Sequence, residues 1–201
     1  MAAPGDHEPH EYALLGSEEV YSGRVISLRR DTVAMPGGGE SVREVVRHPG
    51  AVAIVALDDD DRVVLVRQYR HPVADRLWEL PAGLRDADGE PPLETAKREL
   101  AEEALLAAER WSLLVTSYST PGFCDEQVLV YLAEGLSDVR RPDGFTVEHE
   151  ELDMTVERIP LDEAVQQVFD GTIRNASAVI GLLAAARARA VPPRLRPVDE
   201  S

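Results

Sequence analysis

The stretch PAGLRDADGEPPLETAKRELAEEALL, residues 81–106, decides how this chain is read. Pro91 and Pro92 suit the first turn of a helix, where a missing N–H costs nothing. Leu93, Ala96, Leu100 and Ala104 then recur at helical spacing and form one apolar face. Glu99 lies three residues before Glu102 and four before Glu103, so all three carboxylates project from one side, next to that face. Each like-charged pair at such spacing destabilises an isolated helix by about 0.2–0.5 kcal/mol, and Arg98, four residues before Glu102, offsets only part of this. A solvated acidic face is the ordinary reading of a Glu-rich helix. The sharper reading is a site for a hard divalent cation, which takes several oxygen ligands. The rigid "LPAG" turn just upstream offers a backbone oxygen as well. Metal-assisted hydrolysis of a phosphate anhydride needs such a site, because the cation neutralises phosphate oxygens and activates water.

Outward from this helix the chain reads as strands on both sides. Upstream, EEVYSGRVISLRRDTVAM, PGGGE and SVREVVRH (18–48) read as strand, turn, strand, with three glycines supplying the positive φ a reversal needs. AVAIVAL (51–57) is a continuous apolar run, as in a strand buried on both faces. DDDDR is a solvated turn and VVLVRQYR (63–70) the return strand. Downstream, LLVTSYST (113–120) and QVLVYLAE (127–134) flank the loop PGFCDE. An acidic loop at 147–153 leads into a strand, MTVERIPL (154–161). Asp162 reads as a helix N-cap and Gly171 as that helix's stop, and a last helix spans about 177–190. The order predicts an α+β chain, a mixed central sheet with helices packed on it and an N-terminal antiparallel strand extension. The expected division is a mobile tail at 1–12, the strand extension at 13–48, a catalytic domain at 49–190 and a disordered tail at 191–201.

Composition limits the function. A 44% apolar fraction suffices for a packed core. The formal charge of −16, from 37 acidic and 21 basic residues, opposes binding to nucleic acid and to anionic membranes. An anionic small molecule remains acceptable where a cation or local arginines screen the charge. One cysteine, Cys124, cannot form an internal disulfide, and the first residues lack a signal-peptide pattern, so a cytoplasmic protein is expected.

Gly83, six residues, Glu90, seven residues and then Arg98-Glu99-Leu100-Ala101-Glu102-Glu103 resemble the signature of the Nudix hydrolases. There are two departures: the first spacer is one residue longer than the common pattern, and Leu105 stands where the pattern has glycine. Leucine in the left-handed conformation such a glycine adopts costs about 1–2 kcal/mol. The helix is therefore expected to run on through ALLAAER to about Glu109, with the upstream glutamates unaffected.

Pro121, fifteen residues past Leu106, resembles the marker of the ADP-ribose pyrophosphatase branch of that family, as do LWELPAGL, GAVAI (50–54), MPGGG and REVV. The resemblance spans roughly residues 17 to 185. It implies an α/β/α sandwich, a Mg²⁺ cofactor with Mn²⁺ as substitute, a nucleoside-diphosphate substrate, and a homodimer that exchanges the N-terminal strands. It implies that Glu99 and Glu103 ligate Mg²⁺, with Glu102 and the Ala82 carbonyl completing the cluster and Glu102 counted among the catalytic groups. A general base is expected in the acidic loop, at Glu150 or Glu151, with Glu151 preferred because "E-x-D-M" is similar to the family's sequence there. His149 is the runner-up, a poor base because surrounding carboxylates hold it protonated. Arg43, Arg70 and Glu79 match substrate-binding positions, and Glu126 is assigned to the terminal ribose; Arg98 is expected to orient Glu102. The bland alternatives are surface arginines at 43 and 70, an outward strand residue at 79, a core Trp78 and an incidental Cys124. The activity implied is cleavage of ADP-ribose to AMP and ribose 5-phosphate. The alternatives are another nucleotide sugar or a dinucleotide as substrate, a nucleotide-sugar sensor that has lost hydrolysis, and an acidic adaptor.

Overall fold

A computed structural model describes residues 12–87, 89–140 and 154–191. The chain divides into two compact units: residues up to Pro49 with Thr120–Glu126, and Gly50–Ser119 with the residues from Gln127 onward.

The first unit is a three-stranded antiparallel sheet, β1 (Leu14–Ser22), β2 (Ser27–Ala34) and β3 (Glu40–Arg47). The stretch read as one strand is therefore two. The chain reverses at residues 23–26, where the Gly23 N–H donates to the Ile26 carbonyl at 2.9 Å. Strand-forming residues on either side of Gly23 hid that break. Gly37, Gly38 and Gly39 all take positive φ (84°, 97° and 90°) in the turn before β3, as a tight reversal requires. The loop Thr120–Glu126 belongs to this unit. The Val46 N–H donates to the Phe123 carbonyl at 2.7 Å, and Asp125 accepts from the His48 N–H at 2.8 Å and from Arg47 at 2.9 Å.

The second unit holds a seven-stranded mixed sheet. Its strands are β4 (Ala51–Leu57), β5 (Arg62–Arg70), β6 (Asp75–Glu79), β7 (Ala82–Leu84), β8 (Leu106–Tyr118), β9 (Gln127–Asp138) and β10 (Thr155–Pro160). The main path runs β10-β5-β4-β9-β8, with β6 on β5 and β7 on β4. β4 and β9 pair in parallel; the other pairs are antiparallel. Alternation along β4 explains its unbroken apolar run. Val52, Ile54 and Ala56 pack with Ala96 and Leu100 of helix α1 (Pro92–Ala104) on one face. Ala53, Val55 and Leu57 pack with α2 (Leu161–Phe169) and α3 (Ala176–Ala190) on the other. The result is an α/β/α sandwich.

Two helix ends differ from the sequence reading. First, α1 stops at Ala104, and Leu105 takes the left-handed conformation (φ 56°, ψ 40°), so the expected extension to Glu109 is overturned. Residues 106 onward instead form β8, paired with β9 from Leu106↔Asp138. Leu106 is buried in the core at 1% exposure, and the Leu105 carbonyl accepts the Val139 N–H at 2.9 Å. Burying one leucine is worth about 1.5–3 kcal/mol, which together with the strand pairing outweighs the left-handed cost of about 1–2 kcal/mol. Secondly, the N-cap of α2 is Pro160, not Asp162. The first free N–H of the helix, on Leu161, donates to the Asp61 carbonyl at 3.0 Å, so no side-chain cap is needed there. Asp162 and Glu163 occupy the first turn, where the helix dipole favours negative charge. α3 does carry a side-chain cap: Asn175 accepts from the Ala178 N–H at 3.0 Å. Gly171 follows α2 with φ 82°.

Candidate active site

The site begins with α1 lying on the sheet face beside β7 and β4, which sets its last two turns against the LPAG segment. Glu103 accepts a hydrogen bond from the Ala82 N–H at 2.9 Å. Glu99 lies against Gly83 so closely that a Cβ built there would come within 2.1 Å of the Glu99 carboxyl carbon. The motif glycine is thus a matter of space: any side chain at residue 83 would displace the carboxylate.

Arg98 ties the cluster together. Its Nη1 donates to Glu99 at 2.8 Å and to Glu102 at 2.9 Å, while Nε and Nη2 reach Glu90 at 3.3 Å each. Burial works against its charge, but the Glu90 hydrogen bond and the charges of Glu99 and Glu102 raise its pKa above the ordinary arginine value. The Arg98 hydrogen bond, helped by Thr95 against burial, holds Glu90 below the usual carboxylate range. Glu99 and Glu103 behave oppositely. Burial pushes Glu99 up to about 7, with Glu102 adding to the rise and Arg98 opposing it. Burial pushes Glu103 up to about 8, with Glu99 adding and the Ala82 N–H opposing.

As they stand, no three carboxylate, imidazole or thiol groups among the described residues converge to chelating geometry. The reason is visible in the hydrogen bonds: Glu99 and Glu102 are drawn to Arg98, and Glu103 to Ala82. The donor set nonetheless fits a hard dication. It is all oxygen, sits at one end of one helix, and contains two buried carboxyls whose burial the nearby Arg98 and Arg70 do not offset.

Arg70 and Glu79 also belong to this face. Glu79, 2% exposed, accepts from Arg70 Nε at 2.9 Å and Nη2 at 2.8 Å, and from Gln68 at 3.4 Å. It is not an outward strand residue. Both charges of this pair act on the Glu103 carboxyl. Trp78 packs against the core with Arg67 above its ring at 5.6 Å.

Arg43 and Glu126 lie in the other unit. The Arg43 guanidinium contacts the Ser41 hydroxyl, the Val42 carbonyl at 3.0 Å and the Met35 sulfur at 3.8 Å. Glu126 lies 3.9 Å from His48 Nε2, and its N–H donates to the Cys124 sulfur at 3.4 Å. Glu150, Glu151 and His149 lie outside the described residues. Sequence reasoning passed over Glu90 as a working group. Its place in the motif, eight residues before Arg98, was the available signal.

Residues 47–179 match the NUDIX domain, and residues 14–46 match the nucleoside diphosphate sugar hydrolase N-terminal domain. A Mycobacterium tuberculosis protein named ADP-ribose pyrophosphatase is 50% identical over 190 residues, 94% of this chain and 90% of its own length. A Bacillus methanolicus protein named methanol dehydrogenase activator is 39% identical over 172 residues, covering 86% of this chain and 91% of its own. A crystal structure described as an ADP compounds hydrolase superposes with a TM-score of 0.76 at 22% identity, covering 92% of this chain and 97% of that one, which shows the fold. No described helix is long and apolar enough to cross a membrane. With residues 47–179 matched to the NUDIX domain and a relative 50% identical over 94% of its length, the chain is a hydrolase of the Nudix family, whose members generally use a divalent metal.

Proposed function

We propose that this hydrolase uses Mg²⁺ to cleave ADP-ribose into AMP and ribose 5-phosphate. The observation that carries the reading is the carboxylate array on α1, crowded against Gly83 and bridged by a single arginine, in a chain half identical to a named ADP-ribose pyrophosphatase. Glu99 and Glu103, with Glu102 and the Ala82 carbonyl, would hold Mg²⁺; Mn²⁺ would substitute. The cation supplies charge neutralisation at the diphosphate and a more acidic water. Glu151, with Glu150 as alternate, removes the proton of the attacking water. Arg70, gripped by the buried Glu79, keeps its guanidinium fixed for an anionic oxygen, and Arg43 and Glu126 bind other parts of the substrate. Residues 49–190 form the catalytic domain and 13–48 an assembly element.

That assembly is a homodimer in the cytoplasm. Leu14, Leu15, Val20 and Tyr21 of β1 are each more than half exposed, on a strand with no buried residue. Such an edge is ordinarily covered. Light scattering should return twice the 22.0 kDa chain mass.

A second reading retains the chemistry and changes the group leaving with the phosphate. The match of residues 14–46 to a nucleoside diphosphate sugar hydrolase domain supports it. A panel of ADP-ribose, ADP-glucose, GDP-mannose and dinucleotides, ranked by kcat/KM, separates the two. ADP-ribose should lead, and a lead of tenfold or more by another compound would replace it.

A further inference from the structure

Among the described residues Thr95 is the one serine or threonine that the core swallows, at 0% exposure. It sits in the second turn position of α1, where alanine is the better helix former. Its Oγ1 donates to Glu90 Oε2 at 2.8 Å; the helix carbonyl of Pro91 lies farther away at 3.4 Å. A buried hydroxyl carries a desolvation cost that such a bond must offset. The Glu90 bond to Thr95 is also shorter than either Arg98–Glu90 contact, both 3.3 Å.

From these distances we propose that Thr95 is a positioning residue: its hydroxyl fixes Glu90, and Glu90 holds Arg98 so that Glu99 and Glu102 can serve a divalent cation. The proposal rests on the metal-site reading given above. Arg98 now has two sets of partners, Glu90 on one side and the Glu99–Glu102 pair on the other. A cation taking Glu99 and Glu102 competes with Arg98 for the same oxygens. Arg98 stays out of the way only if Glu90 keeps its carboxylate in place, and Glu90, reached from a loop rather than the helix, gets that anchorage from Thr95. Carboxylates and hydroxyls behind a metal's ligands commonly contribute tenfold to a hundredfold in affinity by orienting them. Without the hydroxyl, Glu90 follows Arg98 toward the ligands and Arg98 blocks them.

The test is direct Mn²⁺ binding to the metal-stripped full chain, by the paramagnetic resonance signal of free Mn²⁺. Variants are Thr95→Ser, Thr95→Val, Glu90→Gln and the Val/Gln double variant, with Glu103→Gln as control. Thermal melting in chelator runs alongside. Thr95→Val should weaken Mn²⁺ binding about tenfold and Thr95→Ser less than twofold. The double variant should bind no more weakly than Glu90→Gln alone, since the two groups act in one chain. Thr95→Ala replaces Thr95→Val if the latter does not fold. Equal Mn²⁺ affinity in Thr95→Val and wild type overturns the proposal. So does equal weakening in Thr95→Ser and Thr95→Val, which would be a packing effect, or additive losses in the double variant. If wild type binds no Mn²⁺, or Glu103→Gln binds as well as wild type, the metal-site reading falls and takes this proposal with it. Normal wild-type binding lost in Glu103→Gln but unchanged in Thr95→Val overturns this proposal alone.

Discussion

Leu105 gives a prediction whose sign depends on the helix ending where it does. The comparison is Leu105→Ala against Leu105→Gly, because neither variant carries the leucine side chain and the difference between them isolates the backbone. In the left-handed conformation observed (φ 56°, ψ 40°), alanine bears a strain of about 1–2 kcal/mol that glycine escapes. Glycine in turn loses about 0.4–1 kcal/mol through the greater freedom of its unfolded chain. The net favours glycine by about 0.5–1 kcal/mol. Had α1 continued through this residue, glycine would instead be worse than alanine by about 1 kcal/mol. The two geometries thus differ in sign. Leu105 is 39% exposed, so truncation to alanine should itself cost about 1 kcal/mol of lost apolar burial. Leu105→Gly should then fall near wild type and Leu105→Ala below both. For a chain of this length the gap corresponds to about 2 °C in Tm, measurable by calorimetry in chelator. A lower Tm for Leu105→Gly than for Leu105→Ala would refute the left-handed helix end and the argument from Leu106 burial.

Three further outcomes follow from the site. Gly83→Ala should reduce divalent-cation affinity at least about tenfold, since its Cβ would lie 2.1 Å from the Glu99 carboxyl carbon; titration calorimetry with Mn²⁺ reads this, and unchanged affinity would mean Glu99 is no ligand. Arg70→Met should cost about 2–3 kcal/mol of unfolding free energy, because among the described residues it leaves the buried Glu79 carboxylate with Gln68 alone. Glu79→Gln should cost less, as half-exposed Arg70 can still hydrate; a urea titration showing the reverse order would contradict the pairing. Stability in chelator should fall as pH rises from about 5 to about 8. Glu99 and Glu103 titrate near 4.5 when unfolded but at about 7 and about 8 when folded, so through that window the folded state binds more protons than the unfolded one, and rising pH favours unfolding. Glu90, whose carboxyl is lowered, acts below that window and with the opposite sign. Saturating Mg²⁺ should raise Tm most at the alkaline end; a Tm that rises with pH in chelator would contradict the burial argument.

Periodicity made the central sheet and the helix packed on it legible, whereas the three-layer sandwich was implied by the family resemblance. The apolar spacing of Leu93, Ala96, Leu100 and Ala104 and the unbroken run of β4 survive folding because each side chain faces the layer its position dictates. The carboxylate array was legible for the same reason, since i, i+3 and i+4 positions share a face whatever surrounds the helix. What escaped was set by distant partners. Leu105 is strained locally and compensated by β8 pairing with a strand that comes later. The α2 start is fixed by a carbonyl of the β4–β5 turn, which accepts the Leu161 N–H and so places Asp162 inside the first turn rather than at the cap. Nothing in the sequence paired Glu79, read as a substrate-binding position with a lone outward charge as the alternative, with Arg70, which the β5–β6 pairing brings across to it. The bond from the His48 N–H to Asp125 spans 77 residues, and nothing near either residue announces it.

The central claim is tested most directly by incubating the metal-stripped chain and its Glu103→Gln variant with ADP-ribose, with and without Mg²⁺, and resolving the products by chromatography. The account predicts AMP and ribose 5-phosphate from the wild type only when Mg²⁺ is present, and at least a hundredfold slower release from Glu103→Gln, about what a lost catalytic group removes. AMP release that ignores chelation, or a Glu103→Gln variant as fast as wild type, would contradict it.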